Sequence, residues 1–221
     1  MLLEAEPDLR VAGEAGDGSE ALAEARRVDP DVVLMDVRMP VVDGIEATAQ
    51  LVRGGCRARI LMLTTFDLDE YVYRAMKAGA SGFLLKDASG GQLAEAVRTV
   101  YKGDALLAPA ITKRLIEDFC RGPAPGANGS DLGLSERELE VCRLVARGLS
   151  NREIAAQLYV SEATVKTHVT HVLSRLGLRD RVQVTVFAYE HGIVRPGRGA
   201  ERLTRAESTT RHPERGRHRS T

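Results

Sequence analysis

Asp31-Val-Val-Leu-Met-Asp36-Val-Arg-Met-Pro40 decides how this chain is read. A short, β-branched apolar run of this kind reads as a strand buried on both faces, and the loop after it holds Pro40 and Gly44. Asp36 therefore stands at the carboxyl end of a strand, where ligands of open α/β sheets gather. Taken alone, an Asp in that place is more often a turn or helix cap than a nucleophile. The flanking pattern changes the weighting. Runs at 9–12, 60–63 and 82–85 repeat the strand signature, and residues 19–28, 45–53, 70–78 and 92–101 carry helical periods, as in Leu93, Ala96, Val97 and Val100. This alternation predicts a parallel sheet with crossover helices. The second of these runs ends at Thr64-Thr65 and the third at Lys86-Asp87, so a hydroxyl and an ammonium should meet the Asp36 carboxylate on one edge. A carboxylate that takes up a phosphoryl group needs such partners to bind the new charge.

The 221 residues are enough for two modest domains. A composition of 43% hydrophobic and 28% charged residues is ordinary for a soluble chain. No apolar run approaches the ~18 residues of a membrane span, so no membrane association is expected. The first residues, Met1-Leu2-Leu3-Glu4, lack the basic start of a secretion signal, which points to the cytoplasm. Cys56, Cys120 and Cys142 are widely spaced and form no CxxC pair, which argues against a disulfide framework and a zinc site. Net charge is zero, yet it is unevenly spread: the first third carries Glu4, Glu6, Asp8, Glu14, Asp17 and Glu20 among its acids, and the last third is rich in arginine. An acidic module joined to a basic one fits that distribution.

Helical spacing is expected again at 111–119. The stretch 121–130, RGPAPGANGS, is too rich in Gly and Pro for regular structure and reads as a linker. An all-helical unit follows. Ser135 with Glu138 three residues on is a capping box, and Gly148 closes that helix. Residues 151–158 form a short helix, Tyr159-Val160 a turn, and 161–176 a longer helix, which is helix-turn-helix spacing. Val160, Val165, Val169 and Leu173 give the longer helix a buried side, opposite Thr164, Lys166, Thr167, Thr170, His171 and Arg175. Such a polar face is either solvated or able to enter the major groove. His168 and His171, without a Cys or carboxylate cluster, are read as groove or core residues rather than metal ligands. Beyond residue 195 the chain has almost no large apolar residues and is expected to be a disordered basic tail.

The segments DVVLMDVRMP, GIEAT, ILMLTT and AGASGFLLKD resemble the receiver domain of two-component response regulators. LSERELEV, GLSNREIAAQL, VSEATVKTHV and LGLRDRVQ resemble the LuxR-type helix-turn-helix, so together the chain is similar to the NarL/FixJ type. That resemblance implies an α/β, flavodoxin-like, doubly wound receiver over residues 1–104 and a linker over 105–133. It further implies an all-α four-helix DNA-binding domain over 134–194, with the tail at 195–221. It makes Asp36 the phosphoacceptor, Thr64 and Lys86 its phosphoryl-binding partners, and Phe83 the switch aromatic. It also places Lys166, Thr167 and Thr170 nearest the bases and Arg175 near the backbone, and makes a fourth helix at 179–191, with Val182, Val186 and Tyr189, the dimer contact. The departure lies at the front, where residues 1–9 look like the end of the first receiver helix. The first strand and the acidic pair at its end cannot be assigned. Mg²⁺, which the family implies, would be left with Asp36 and the Arg38 carbonyl, fewer oxygens than its octahedral shell wants.

The expected function is that of a dimeric transcription regulator, not an enzyme, controlled by phosphorylation of Asp36. Its expected partners are double-stranded DNA, a sensor histidine kinase and a second copy on DNA, with RNA polymerase a further candidate. A competing reading keeps DNA binding and makes the receiver degenerate and independent of phosphorylation. A nucleotide-binding enzyme fits worse, because Gly13, Gly16 and Gly18 have the wrong spacing for GxGxxG and no P-loop lysine follows.

Overall fold

The computed structural model describes residues 2–64, 71–103 and 132–194. After a 3-10 turn at Leu2–Ala5, the first half runs α1 (Gly18–Val28), β1 (Val32–Asp36), α2 (Gly44–Arg53), β2 (Arg59–Thr64), α3 (Tyr71–Ala78), β3 (Gly82–Leu85) and α4 (Gly90–Tyr101). The second half runs α5 (Glu136–Ala146), α6 (Asn151–Leu158), α7 (Glu162–Leu176) and α8 (Arg181–Glu190). The three strands form one parallel sheet in the order β1-β2-β3. Asp36 lies opposite Leu63, and Thr64 opposite Leu85. All three strands thus end on one edge, as the terminal Asp36, Thr64 and Lys86 require.

The sheet has a thick side and a thin side. On the thick side α2 and α3 bury Leu51, Val72, Ala75 and Met76 against Met35, Ile60, Met62 and Phe83. On the other, Ala96 and Val100 of α4 cover Leu61. Helix starts are closed by local chemistry: Asp17, Asp43 and Ser89 accept from the first-turn amides of α1, α2 and α4, and the last of these is a full capping box with Gln92. Arg98 of α4 pins the amino-terminal residues by reaching Asp8 at 2.6 Å and Glu6 at 2.6 Å. That guanidinium holds the Asp8 carboxyl down at about 2.

The run at 9–12, expected as a strand, is not one. A strand closes its hydrogen bonds only on a neighbour. Among the described residues, the edge of β1 away from β2 has no paired strand, so the run has no ladder to join. The expected helix at 111–119, most of the linker and the basic tail lie outside the described residues.

In the second half, Ser135, Ser150, Ser161 and Asp180 cap the four helices, and capping boxes form with Glu138 and Glu153. Val141, Val145, Ile154, Val165, Val172 and Ala188 make its core. Gly177, with φ of 64°, ends α7 in the left-handed region that glycine enters freely. The halves also touch. Val182 and Val186 of α8 pack into the core that contains Ala75, Met76 and Ala80 of the first half.

Candidate functional site

Asp36 leaves the sheet half-exposed. Its Oδ2 accepts from the Lys86 ammonium at 2.5 Å, and its Oδ1 accepts the Arg38 backbone N–H at 3.2 Å. The backbone N–H of Lys86 donates to the Thr64 carbonyl at 2.8 Å, which ties the ends of β2 and β3 together beneath the carboxylate. Thr64 is buried, at 5% exposure. Phe83 is buried in the sheet core at 2%, where a rotamer change would have to displace packed neighbours. The structure therefore joins Asp36 to Lys86 directly, keeps Thr64 at the adjoining strand end, and sets Phe83 one layer below.

The loop over this edge is tightly shaped. A Cβ on Gly44 would lie 1.8 Å from the Asp36 carbonyl oxygen, so only glycine lets α2 start against that strand end. Val41, with φ of 65° and 82% exposure, is an unusual left-handed, β-branched residue at the same rim. The side chain of Arg38, which the sequence reading did not use, lies over the Tyr71 ring at 5.6 Å to its centroid, close to the start of α3.

Among the described residues, Asp36 and the Arg38 carbonyl are the oxygens at this edge that a magnesium ion would meet, fewer than its octahedral shell wants. No group of three or more His, Cys, Asp or Glu side chains converges among the described residues, and both Asp36 oxygens already accept hydrogen bonds. The free thiols at Cys56 and Cys142 make no such cluster either. Burial pushes the Cys142 thiol up to about 11, which leaves it a small apolar core residue.

On the helical half, Thr164, Lys166, Thr167, Thr170, His171 and Arg175 are all exposed on α7. The Thr167 and Thr170 hydroxyls donate back to the Ala163 and Lys166 carbonyls, which leaves their oxygens outward as acceptors. No ion pair holds the Lys166 ammonium among the described residues. His171 and Arg175 are differently placed. Arg175 donates to the Gly133 carbonyl at 2.6 Å, and both side chains face Glu138, at 3.6 and 3.5 Å. Glu138 is a carboxylate at 3% exposure. The Ser135 backbone N–H and hydroxyl both donate to it at 2.8 Å and hold its pKa below the ordinary glutamate value. The face thus divides into a free part around Lys166 and a part engaged with its own domain.

The residues expected as a dimer contact are covered by the chain itself. Val182 and Val186 lie against the first half, and Tyr189 lies in the helical core. Around them runs a polar seam that the sequence reading missed. Asp180, at 2% exposure, caps α8 and accepts from Ser81 Oγ at 2.7 Å, with Arg59 at 3.8 Å. Arg179 donates to the Ala58 carbonyl, and Arg59 to the Arg179 carbonyl. The Asp180 cap was a recoverable signal. Its pairing with residues about 100 positions away was not.

Comparison with known proteins finds two family matches along the chain. The response regulator receiver domain matches residues 1–98, and the luxR family of bacterial regulatory proteins matches residues 132–188. An uncharacterized transcriptional regulatory protein of Bacillus subtilis, YxjL, is 41% identical over 195 residues, covering 87% of this chain and 89% of that protein. The response regulator protein VraR of Staphylococcus aureus is 37% identical over 192 residues, covering 87% and 90%. A crystal structure of the response regulator ChrA of a heme-sensing two-component system is 36% identical, covers 87% and 90%, and has a TM-score of 0.44. No helix among the described residues is long and apolar enough to cross a membrane. The chain belongs to the response regulators that join a receiver domain to a LuxR-type DNA-binding domain, a family of transcription regulators rather than enzymes.

Proposed function

We propose that this chain is a cytoplasmic transcription regulator whose receiver takes a phosphoryl group on Asp36 from a sensor histidine kinase. Its DNA-binding half would read duplex DNA through Lys166, Thr167 and Thr170. The observation that carries the phosphoryl part is the Asp36–Lys86 pair at the strand ends. In the transfer, an Asp36 carboxylate oxygen forms a bond to phosphorus while the phosphorus–nitrogen bond of the kinase phosphohistidine breaks and its electron pair returns to the imidazole. Lys86 then meets the oxygens of the new dianion, a charge-assisted contact stronger than a neutral one. Thr64 supplies a hydroxyl at the same edge, and Phe83 repacks in response. The domains proposed are a receiver over 1–104, a linker over 105–133 and a DNA-binding domain over 134–194.

A second reading, in which the receiver works without phosphorylation, draws on the few magnesium-facing oxygens among the described residues. Incubation with a small phosphodonor in magnesium buffer separates the two. A mass gain equal to one phosphoryl group, lost in Asp36→Asn, supports the first reading. An unchanged mass supports the second.

For the DNA half, Lys166→Ala should flatten the log–log salt dependence of duplex binding by about one unit if its ammonium neutralises a phosphate. An unchanged slope removes Lys166 from that role. Arg175 must first leave Gly133 and Glu138 to reach DNA, so Arg175→Ala should combine a smaller slope change with lost stability.

A further inference from the structure

Glu138 is a buried carboxylate whose two oxygens are held in different ways. Oε2 accepts the Ser135 backbone N–H and hydroxyl, both at 2.8 Å, so the capping box of α5 satisfies it locally. Oε1 faces two side chains of α7, with Arg175 Nε at 3.5 Å and His171 Nδ1 at 3.6 Å. The Glu138 side chain is 4% exposed, whereas those of His171 and Arg175 are 55% and 53% exposed. One charge taken out of water is thus compensated by two groups that stand at the surface. The charged or titratable groups that act on its carboxyl are Arg175 and then His171, and the Ser135 donors are neutral. His168, one turn earlier on α7, has a buried Nδ1 with no hydrogen-bond partner among the described residues.

The two partners of Oε1 differ in chemistry. A guanidinium is charged at every accessible pH, while an imidazole gains its charge near neutrality. Four residues apart on α7, His171 and Arg175 are neighbours on one face, so a duplex laid there meets both. A phosphate that draws the Arg175 guanidinium away leaves a buried carboxylate without its permanent counter-charge, a costly state in a desolvated place. His171 already stands at the same oxygen. A proton taken from solvent restores the positive charge: one N–H bond forms on the imidazole, none breaks in the protein, and Glu138 gains a charge-assisted partner.

We propose that Arg175 and His171 form one phosphate site built on Glu138, in which Arg175 passes to a DNA phosphate and His171 takes its place over the buried carboxylate by binding a proton. Duplex binding then takes up as much as about one proton per chain. This rests on α7 as the DNA-contacting helix and adds to that reading the protonation state of His171. Because the complex holds the proton more tightly than the free chain, affinity falls as pH rises through the range where the imidazole loses its charge.

The test uses the full chain and a mixed-sequence duplex at low ionic strength, where phosphate contacts dominate, with anisotropy followed from about pH 6 to about pH 8. The parent should lose about threefold to tenfold in affinity per pH unit near neutrality, tenfold being the most that one linked proton allows. His171→Arg carries a permanent charge and should bind with a flat profile. Glu138→Gln should also be flat, since no buried charge is left to compensate, and His168→Gln should keep the parent's slope. Calorimetry in two buffers of different ionisation heat should show proton uptake by the parent and none by His171→Arg. A parent without a slope, or a slope that survives in His171→Arg, overturns the proposal.

A second measurement needs no DNA. In Arg175→Ala the charged fraction of His171 near neutral pH, read from its ring-proton NMR shifts, should increase. The increase should be smaller when Glu138→Gln is also present, because only the loss of direct repulsion between the two cations then remains. Equal increases in both backgrounds overturn the exchange of partners. If the parent binds no duplex at any pH, the DNA reading fails by itself, and the NMR comparison still decides whether His171 replaces Arg175 at Glu138.

Discussion

Two aspartates at opposite ends of one sheet show what burial does to a carboxylate's role. Asp36, at the carboxyl ends of the strands, pairs with Lys86 while its side chain stays 32% exposed. Asp180 docks at the other end, beside Arg59 and Ser81 where β2 and β3 begin, at 2% exposure. The first stands within reach of water. The second is enclosed between the two halves. An open position and a locked one are thus made from the same side chain by its surroundings.

The strongest challenge to this contrast is at Gly44, because a Cβ there would strike the Asp36 backbone at 1.8 Å. Gly44→Ala should cost roughly 3 kcal/mol or more in denaturant unfolding and disable Asp36 by moving its strand end. A loss under about 1 kcal/mol would mean the exposed edge is looser than its geometry implies. Asp180→Ala comes next. It removes the α8 cap and leaves Arg59 and Ser81 facing an empty place, for about 3 kcal/mol. Asp36→Asn sharpens the comparison from the other side, with stability within about 0.5 kcal/mol of the parent, since exposed pairs contribute little. Equal effects from the two aspartate variants would erase the distinction.

A smaller effect concerns acid. Glu138 has a folded pKa below its ordinary value because Ser135 donates to it twice. A depressed carboxyl stabilises the fold fully above its unfolded pKa of about 4.3 and loses that contribution as pH falls through the folded value. Thermal unfolding of the helical half should therefore weaken between about pH 5 and pH 3, and Glu138→Gln should flatten that slope. An identical slope in the variant would remove Glu138 from the account.

Most helices of both halves were legible because they carry their own start signals. Ser135, Ser150, Ser161 and Asp180 are caps within a few residues of the amides they serve. The Asp36 edge was legible for a related reason: three apolar runs end in Asp36, Thr64 and Lys86, and parallel pairing brings such ends together. Residues 9–12 carried an equally good strand signal and failed, since a strand's hydrogen bonds depend on a neighbour.

The residue order alone determined the receiver-plus-helical division, the Asp36 edge and the polar, exposed side of α7. Each follows from periodicity, capping or the direction of a strand, all of them short-range properties. Only the tertiary structure decided that Val182 and Val186 are covered, that Glu138 holds His171 and Arg175, and that Arg38 reaches Tyr71. Those outcomes depend on which surfaces meet after the chain has folded, and no local pattern states how a charge such as Asp180 will be desolvated by residues from another domain.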